Sequence, residues 1–365
     1  MSLLGLWSRF PENSIPMNKL ALSVKNLTLL MVLLMSSPAC QAQSDRYKEE
    51  DPGKPLIAFG SCSRESIPEQ MWDEINVHHP DLWIWLGDNI YGDTHDMEIM
   101  EEKYRKQKAY PGYKELLDSD TEIIGTWDDH DYGINDGGKH FSKKDASKKL
   151  MINFLDIPED HPIHDHDGVY QTWDYRFEDF IVRVILLDTR YFRDTVYRDP
   201  ATRAYRPNET GGLLGETQWV WLEDQFRQST ADLHLLGSSI QVIPEEHRFE
   251  KWANFPQERK RLFNLLVKYP DKKTVIISGD RHIAEISKIE PEGLPYPLYD
   301  VTSSGLTHAY TGTSPEPNQY RVSDLIRQLN FGLIYIDPSQ KTNPQLTFEI
   351  RGKNNDLLYR LETEL

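Results

Sequence analysis

Four short apolar runs in this chain each stop on a cluster of side chains able to bind metal, and that repetition constrains the fold more than any bulk property. LIAFGSCSR ends on Cys62. LWIWLGDNIYGD supplies Asp88, Asn89, Tyr91 and Asp93. IIGTWDDHDYGIND supplies Asp128, Asp129, His130, Asp131 and Asn135. TVIISGDRHIAE supplies Asp280, Arg281 and His282. Apolar runs this short read as buried strands. In open α/β sheets, ligands bind beyond the carboxyl ends of the strands. Each cluster alone has a plainer reading: Gly-Asp is a turn, DDHD is a solvated acidic loop, and Cys62 is a small buried hydrophobe. Four at strand ends in one chain point instead to a shared pocket.

The rest of the chain fits a layered α/β domain. Strands are expected at 56–61, 82–86, 180–187, 233–238, 273–278, 298–303, 331–337 and 345–351. Helices are expected at 67–76, 97–108, 142–154, 217–228 and 257–268, with Thr217 as a capping signal. In the last of these, Leu262, Phe263, Leu265 and Leu266 share one side. The segment FEIRGKNNDLLYRLE reads as a hairpin turning at Gly352–Asn355. No repeat and no Pro/Gly/Ser-rich linker divides the chain, so residues 56–365 read as one catalytic domain behind a polar lead-in at 43–55.

Residues 27–35, LTLLMVLLM, follow Lys19 and Lys25 and precede the small residues Ser36 to Ala42. The run is too short to span a bilayer and has the flanks of a signal peptide over 1–42, with Met17 an alternative start. Cleavage after Ala42 would release a periplasmic or secreted protein; cleavage before Cys40 would leave a lipid anchor there, the only membrane attachment expected. The remaining cysteine, Cys62, then has no disulfide partner. With 58 acidic against 41 basic residues the net charge is −17, which argues against nucleic-acid binding. His161, His164 and His166 lie among acids in a stretch that Pro162 and Gly168 mark as a solvated loop.

Ligand spacing supports the shared pocket. Asp88 and Tyr91 are three apart in a Gly-flanked turn and can face one ion. Asp280 and His282, two apart, lie on one side of an extended segment. Carboxylates suit hard cations such as calcium; thiolate, phenolate and imidazole suit a transition metal. The mixture points to two kinds of metal, with an Asp able to bridge them.

These blocks, with LLDTRYFRD at 186–194 and DVTSSGLTH at 300–308, resemble the alkaline phosphatase D (PhoD-like) family of calcineurin-like metallophosphatases, from about Leu56 to the C-terminus. The resemblance implies a four-layer αββα sandwich of two mixed sheets, and an exported phosphomonoesterase or phosphodiesterase carrying Fe3+ and Ca2+, with other divalent metals open. It implies iron-type ligation by Cys62 and Tyr91, bridging by Asp88, a second metal on Asp129, and a last ligand pair in Asp280 and His282. Asp128 remains open as a ligand in place of Asp129. His130 would protonate the leaving oxygen or hold the phosphate. Asn135 would contact calcium and Arg190 phosphate, with a structural ion pair as the other reading of Arg190.

The N-terminal β-sandwich of many relatives is not seen before the first block. Trp252, Asn254 and Phe255 in HRFEKWANFPQER depart from the family's usual Trp-Asp-Gly-Tyr, in a loop expected near the pocket mouth. The implied reaction is in-line attack on phosphorus by hydroxide held at Asp88, on small phosphorylated substrates, by a monomer. Two alternatives stand beside it: a calcium-binding surface lipoprotein without activity, and a specialised phospholipase or nuclease.

Overall fold

A computed structural model of the chain describes residues 54–313 and 316–365. The signal-peptide and Cys40 readings lie outside the described residues. Among those residues, no helix is long and apolar enough to cross a membrane.

The strand β2 (Leu82–Leu86) shows how the layers arise. Successive side chains of a strand point to opposite faces. Leu82, Ile84 and Leu86 enter a core shared by two sheets, while Trp83 and Trp85 enter a second core with the helices outside. A strand apolar on both faces needs a layer on each side, and LWIWL has both.

The first sheet runs β14-β13-β12-β1-β2-β3, with β1 (Leu56–Gly60), β3 (Glu122–Thr126), β12 (Phe331–Asp337), β13 (Gln345–Arg351) and β14 (Leu357–Glu364). The second runs β10-β11-β9-β8-β5-β4, with β4 (Gln171–Phe177), β5 (Phe180–Leu186), β8 (Leu233–Ser238), β9 (Thr274–Ser278), β10 (Ala284–Ile289) and β11 (Leu298–Ser303). A ribbon of β6 (Tyr197–Arg198) and β7 (Tyr205–Arg206) stands apart from both. On the first sheet's outer face pack α1 (Trp72–Asn76), α2 (Met97–Lys108), α3 (Pro111–Leu117) and α5 (Lys144–Phe154). On the second sheet's outer face pack α6 (Gly215–Gln228) and α7 (Pro256–Lys268). The result is the expected four-layer αββα sandwich of two mixed sheets.

Strands β1, β2 and β3 are mutually parallel, as are β5, β8, β9 and β11. Their carboxyl ends therefore lie together, and the loops leaving them carry the clusters. The short helix α4 (Asp129–Tyr132) follows β3 directly. Outside the first sheet, Trp72 meets Trp83 and Trp85 edge-on, each at 5.1 Å between centroids. Truncating such a buried Trp costs about 3–5 kcal/mol.

Some expectations need correction. Only Trp72–Asn76 of the expected helix 67–76 is helical; Pro68 disfavours helical backbone at Ile67, and the buried Gln70 accepts from Trp72 Nε1 (2.6 Å). Thr217 caps nothing: α6 starts at Gly215, φ +70°, with Leu214 before it. Glu258 on α7 closes that end instead, accepting from the N–H groups of Leu213 (2.8 Å) and Leu214 (3.1 Å) and from Trp219 Nε1 (3.0 Å). Of the four apolar residues singled out on α7, Leu262, Leu265 and Leu266 are buried and Phe263 is only partly covered. The hairpin turns where expected, through Asn354 and Asn355 in left-handed backbone.

Candidate metal centre

Each cluster leaves its strand through a tight turn. Cys62 (φ 63°), Asp88 (52°), Asp280 (69°) and His282 (53°) all occupy the left-handed region. Non-glycine residues there are uncommon and concentrate at functional sites. Gly87, φ +94°, permits the β2 turn: a Cβ on it would lie 2.5 Å from the Asp128 Cβ.

These turns bring three sets of donor atoms together, each set within 4.8 Å: Cys62, Asp88 and His282; Asp88, Asp129 and His130; and Asp128, Asp129 and Asp280. Asp88 belongs to the first two sets and Asp129 to the last two. Asp88 Oδ2 lies 3.4 Å from the Cys62 sulfur and 3.3 Å from Tyr91 Oη. Tyr91 Oη is also 2.9 Å from His282 Nε2 and 3.0 Å from His308 Nε2. His130 donates its backbone N–H to Asp88 Oδ1 (3.3 Å), and its Nδ1 is 2.8 Å from Asp93.

The buried Asp131 carboxylate organises the turns beneath, accepting from the N–H groups of Asp128 (2.7 Å), Asp88 (3.1 Å) and Asn89 (3.2 Å). Arg190 is fully buried. Its Nε donates to Asp128 Oδ1 (2.6 Å) and its Nη1 to Glu250 Oε2 (2.8 Å), and Glu250 also meets Arg193 at 3.1 Å. This is the ion-pair setting for Arg190, which touches the donor Asp128 directly and is held on its other side by Glu250.

The electrostatics suit cations. Burial, and then Asp88, push the Cys62 thiol well up. Burial also raises Asp88 and Asp280, against His130 for the first and Arg281 for the second. Burial lowers His282 to about 3 and His308 to about 4, so both imidazoles are neutral and able to ligate. Burial alone would lower His130, but Asp88, the hydrogen bond to Asp93, and Asp129 raise it to about 10. The donor set also fits a metal by its unmet valence. Asp128 Oδ2 and Asp129 Oδ1 are buried with no hydrogen-bond partner, and such atoms are costly unless an ion completes them. Oxygen donors suit a hard cation; Cys62, Tyr91 and His282 suit a transition metal.

Of the residues singled out from sequence, Cys62, Asp88, Tyr91, Asp129, His130, Asp280 and His282 converge, with Asp128 beside them. Asn135 is exposed, and its neighbour Asp136 gives a backbone N–H to Asp129 Oδ2 (2.6 Å). Trp252 and Phe255 are corrected from pocket mouth to core, where they pack with α6 and α7. Glu250 is the residue of that stretch that reaches toward the centre. His161 stacks on Trp173 and His166 on Tyr170, and neither belongs to a donor set among the described residues. Sequence reasoning gave no role to Asp93, Asp131, Glu250 or Arg193. For Asp131 a signal existed, since Asp128-x-x-Asp131 is a capping-box pattern.

Comparison with known proteins agrees with this geometry. PhoD aligns with a TM-score of 0.65 at 16% identity, over 86% of this chain and 68% of its own. A dimetal phosphatase from Danio rerio aligns at 0.53 and 11% identity, over 86% and 99%. GAP50, described as the anchor in the inner membrane complex of Plasmodium, aligns at 0.54 and 11%, over 86% and 89%. At these identities the likeness is one of fold. No curated protein matches the chain. The family model for PhoD-like phosphatases matches residues 57–330, three quarters of the chain and all of the metal-type clusters, and this protein belongs to the PhoD-like phosphatase family.

Proposed function

We propose that this protein is an exported phosphoesterase that hydrolyses small phosphate monoesters or diesters with an iron-type ion held beside calcium-type ions. The observation that carries this reading is the sharing of Asp88 and Asp129 between adjacent donor sets. A carboxylate common to two sets is what bridging requires. Cys62, Tyr91, His282 and Asp88 would hold the iron-type ion; Asp88, Asp129 and Asp280 would hold the calcium-type ion. Bound metals supply charge neutralisation for the phosphoryl oxygens and acidify water.

The chain's own contribution is proton delivery. Asp93 accepts from His130 Nδ1 and leaves Nε2 for the substrate. In hydrolysis water loses a proton to solvent as its oxygen bonds to phosphorus, the ester P–O bond breaks, and the departing oxygen takes a proton from His130, which solvent then restores. Two anionic ligands, thiolate and phenolate, would favour a trivalent ion and slow its exchange. The net charge of −17 supports a small substrate over a polynucleotide.

The test is hydrolysis of a matched chromogenic monoester and diester, with calcium and then with a strong chelator, alongside elemental analysis. Chelator-sensitive turnover is expected, and the better substrate sets the subclass. No turnover of either ester by metal-loaded protein overturns the reading.

A further inference from the structure

A half-open cavity of about 500 Å³ lies beside the donor sets, and two loops serving the centre form part of its wall. One runs from Asp93, which holds His130, to His95 on the wall. The other follows α4: Asp136 gives its N–H to Asp129 Oδ2 (2.6 Å) and is itself a wall residue. No residue of the donor sets, His130 included, lines the cavity; Asp136 joins it to Asp129, which shares a donor set with His130, so the cavity borders the Asp129–His130 side of the centre.

Its charges are already matched. Arg198 pairs with Asp136 at 2.6 Å, and Asp194 pairs with Lys139. Arg193 is buried, 2.5 Å from the Gly137 carbonyl and 3.1 Å from Glu250. A second anionic group would find no unpaired cation among these. What remains for a ligand is ring and aliphatic surface: Phe141 with His95 at 5.0 Å between centroids, Tyr205, Ile134 and Val196. The volume is in the range of small-molecule sites, and a glycerol-sized alcohol would leave most of it empty.

We infer that this cavity is the subsite for the leaving alcohol, and that the alcohol is an uncharged compound bearing a planar ring, aryl or nucleoside. Its place in the reaction rests on the phosphoesterase reading, because the alcohol departs toward the group that protonates it. That group is His130, whose side the cavity borders. The exposed imidazoles of His95 and His140 can hydrogen-bond a ring's polar edge, while His95, packed on Phe141, and Tyr205, under Arg198, add ring surface to the wall.

The experiment is calorimetric titration of the full-length protein with adenosine, phenol and glycerol. It is repeated on Thr195→Trp and Ser142→Trp, exposed wall positions where the added indole fills the cavity. At least one ring alcohol is expected to bind while glycerol does not, with at least tenfold weaker binding in the variants. The tighter of adenosine and phenol distinguishes nucleoside from aryl. In parallel, the ratio of kcat/KM for the ring ester over glycerol phosphate should fall tenfold. Rings binding no better than glycerol, or unchanged binding in both folded variants, overturns the inference. Ring binding with no hydrolysis of any phosphate ester overturns the phosphoesterase reading and leaves the ring site standing.

Discussion

The Asp93 carboxylate sits astride His130 Nδ1, its two oxygens 2.8 and 2.9 Å away. The contact fixes which nitrogen faces the acid and which is left for a substrate oxygen. Asp93→Asn should lower kcat about tenfold to a hundredfold while leaving KM and bound metal near normal. His130→Ala should cost about 10²–10⁴. Both losses should be larger for an alkyl ester than for a nitrophenyl ester, whose leaving group needs no proton. Equal losses on the two esters would remove the proton-delivery role, and loss of metal in His130→Ala would make His130 a ligand.

Cys62 is the one free thiol among the described residues, buried in left-handed backbone 3.4 Å from Asp88. A structural cysteine would tolerate serine with a small stability change. As a soft ligand it would not, because serine offers a poorer donor to a transition metal. Cys62→Ser should lose most of the tightly bound transition metal and at least a hundredfold in activity, with calcium uptake retained. Elemental analysis of purified protein decides it, and full metal content with normal turnover would refute the assignment.

Arg190 tests the ion-pair chain that runs from Asp128 through Glu250 to Arg193. Arg190→Met keeps most of the volume but leaves Asp128 and Glu250 buried without their shared cation. Breaking a buried pair from one side costs about 3–5 kcal/mol. Urea unfolding should show a loss of that size, and bound calcium should weaken, since Asp128 adjoins Asp129 and Asp280. Unchanged stability would mean that Arg190 bears no structural load and would reopen a phosphate role for it.

What could be read from sequence follows from where each contact lies along the chain. The strand LWIWL is apolar on both faces because both are covered, so its bounds, Leu82–Leu86, were legible. The edge strand QTWDYRF alternates half-buried with exposed residues along most of its length and lacks that signature. The seven-residue helix at Pro111 follows α2 too closely to stand out from it. Ligand types were legible because each strand-end loop carries its own few donors in consecutive sequence. Glu250 meets Arg190 across 60 residues, and Tyr91 meets His308 across 217. No local pattern records pairings that only the sheet order creates. The cavity on the His130 side is likewise built from separate loops, with no motif to announce it.

Two histidines far from the metal centre should set part of the acid stability. His78 donates or accepts through Nε2 to Asn355 at 2.7 Å, and His234 through Nε2 to Ser229 Oγ at 2.7 Å. Burial lowers each to about 4, against a value near 6.5 in the unfolded chain. The unfolded state therefore binds more protons between those values. The stabilisation is complete above pH 6.5 and is lost as pH falls toward 4. A tenfold difference in proton affinity between the two states is worth about 1.4 kcal/mol, so each histidine should account for about 3 kcal/mol of that loss. Asp88, Asp128 and Asp280 act with the opposite sign, since their values are raised, while the lowered Asp129 acts with the same sign, so the total slope mixes the two. Comparing wild type with His78→Gln separates them, because the carboxylates are common to both proteins. The gap in unfolding free energy between pH 7 and pH 4.5 should shrink in the variant. An identical pH dependence in the two proteins would show that His78 titrates alike in the folded and unfolded states.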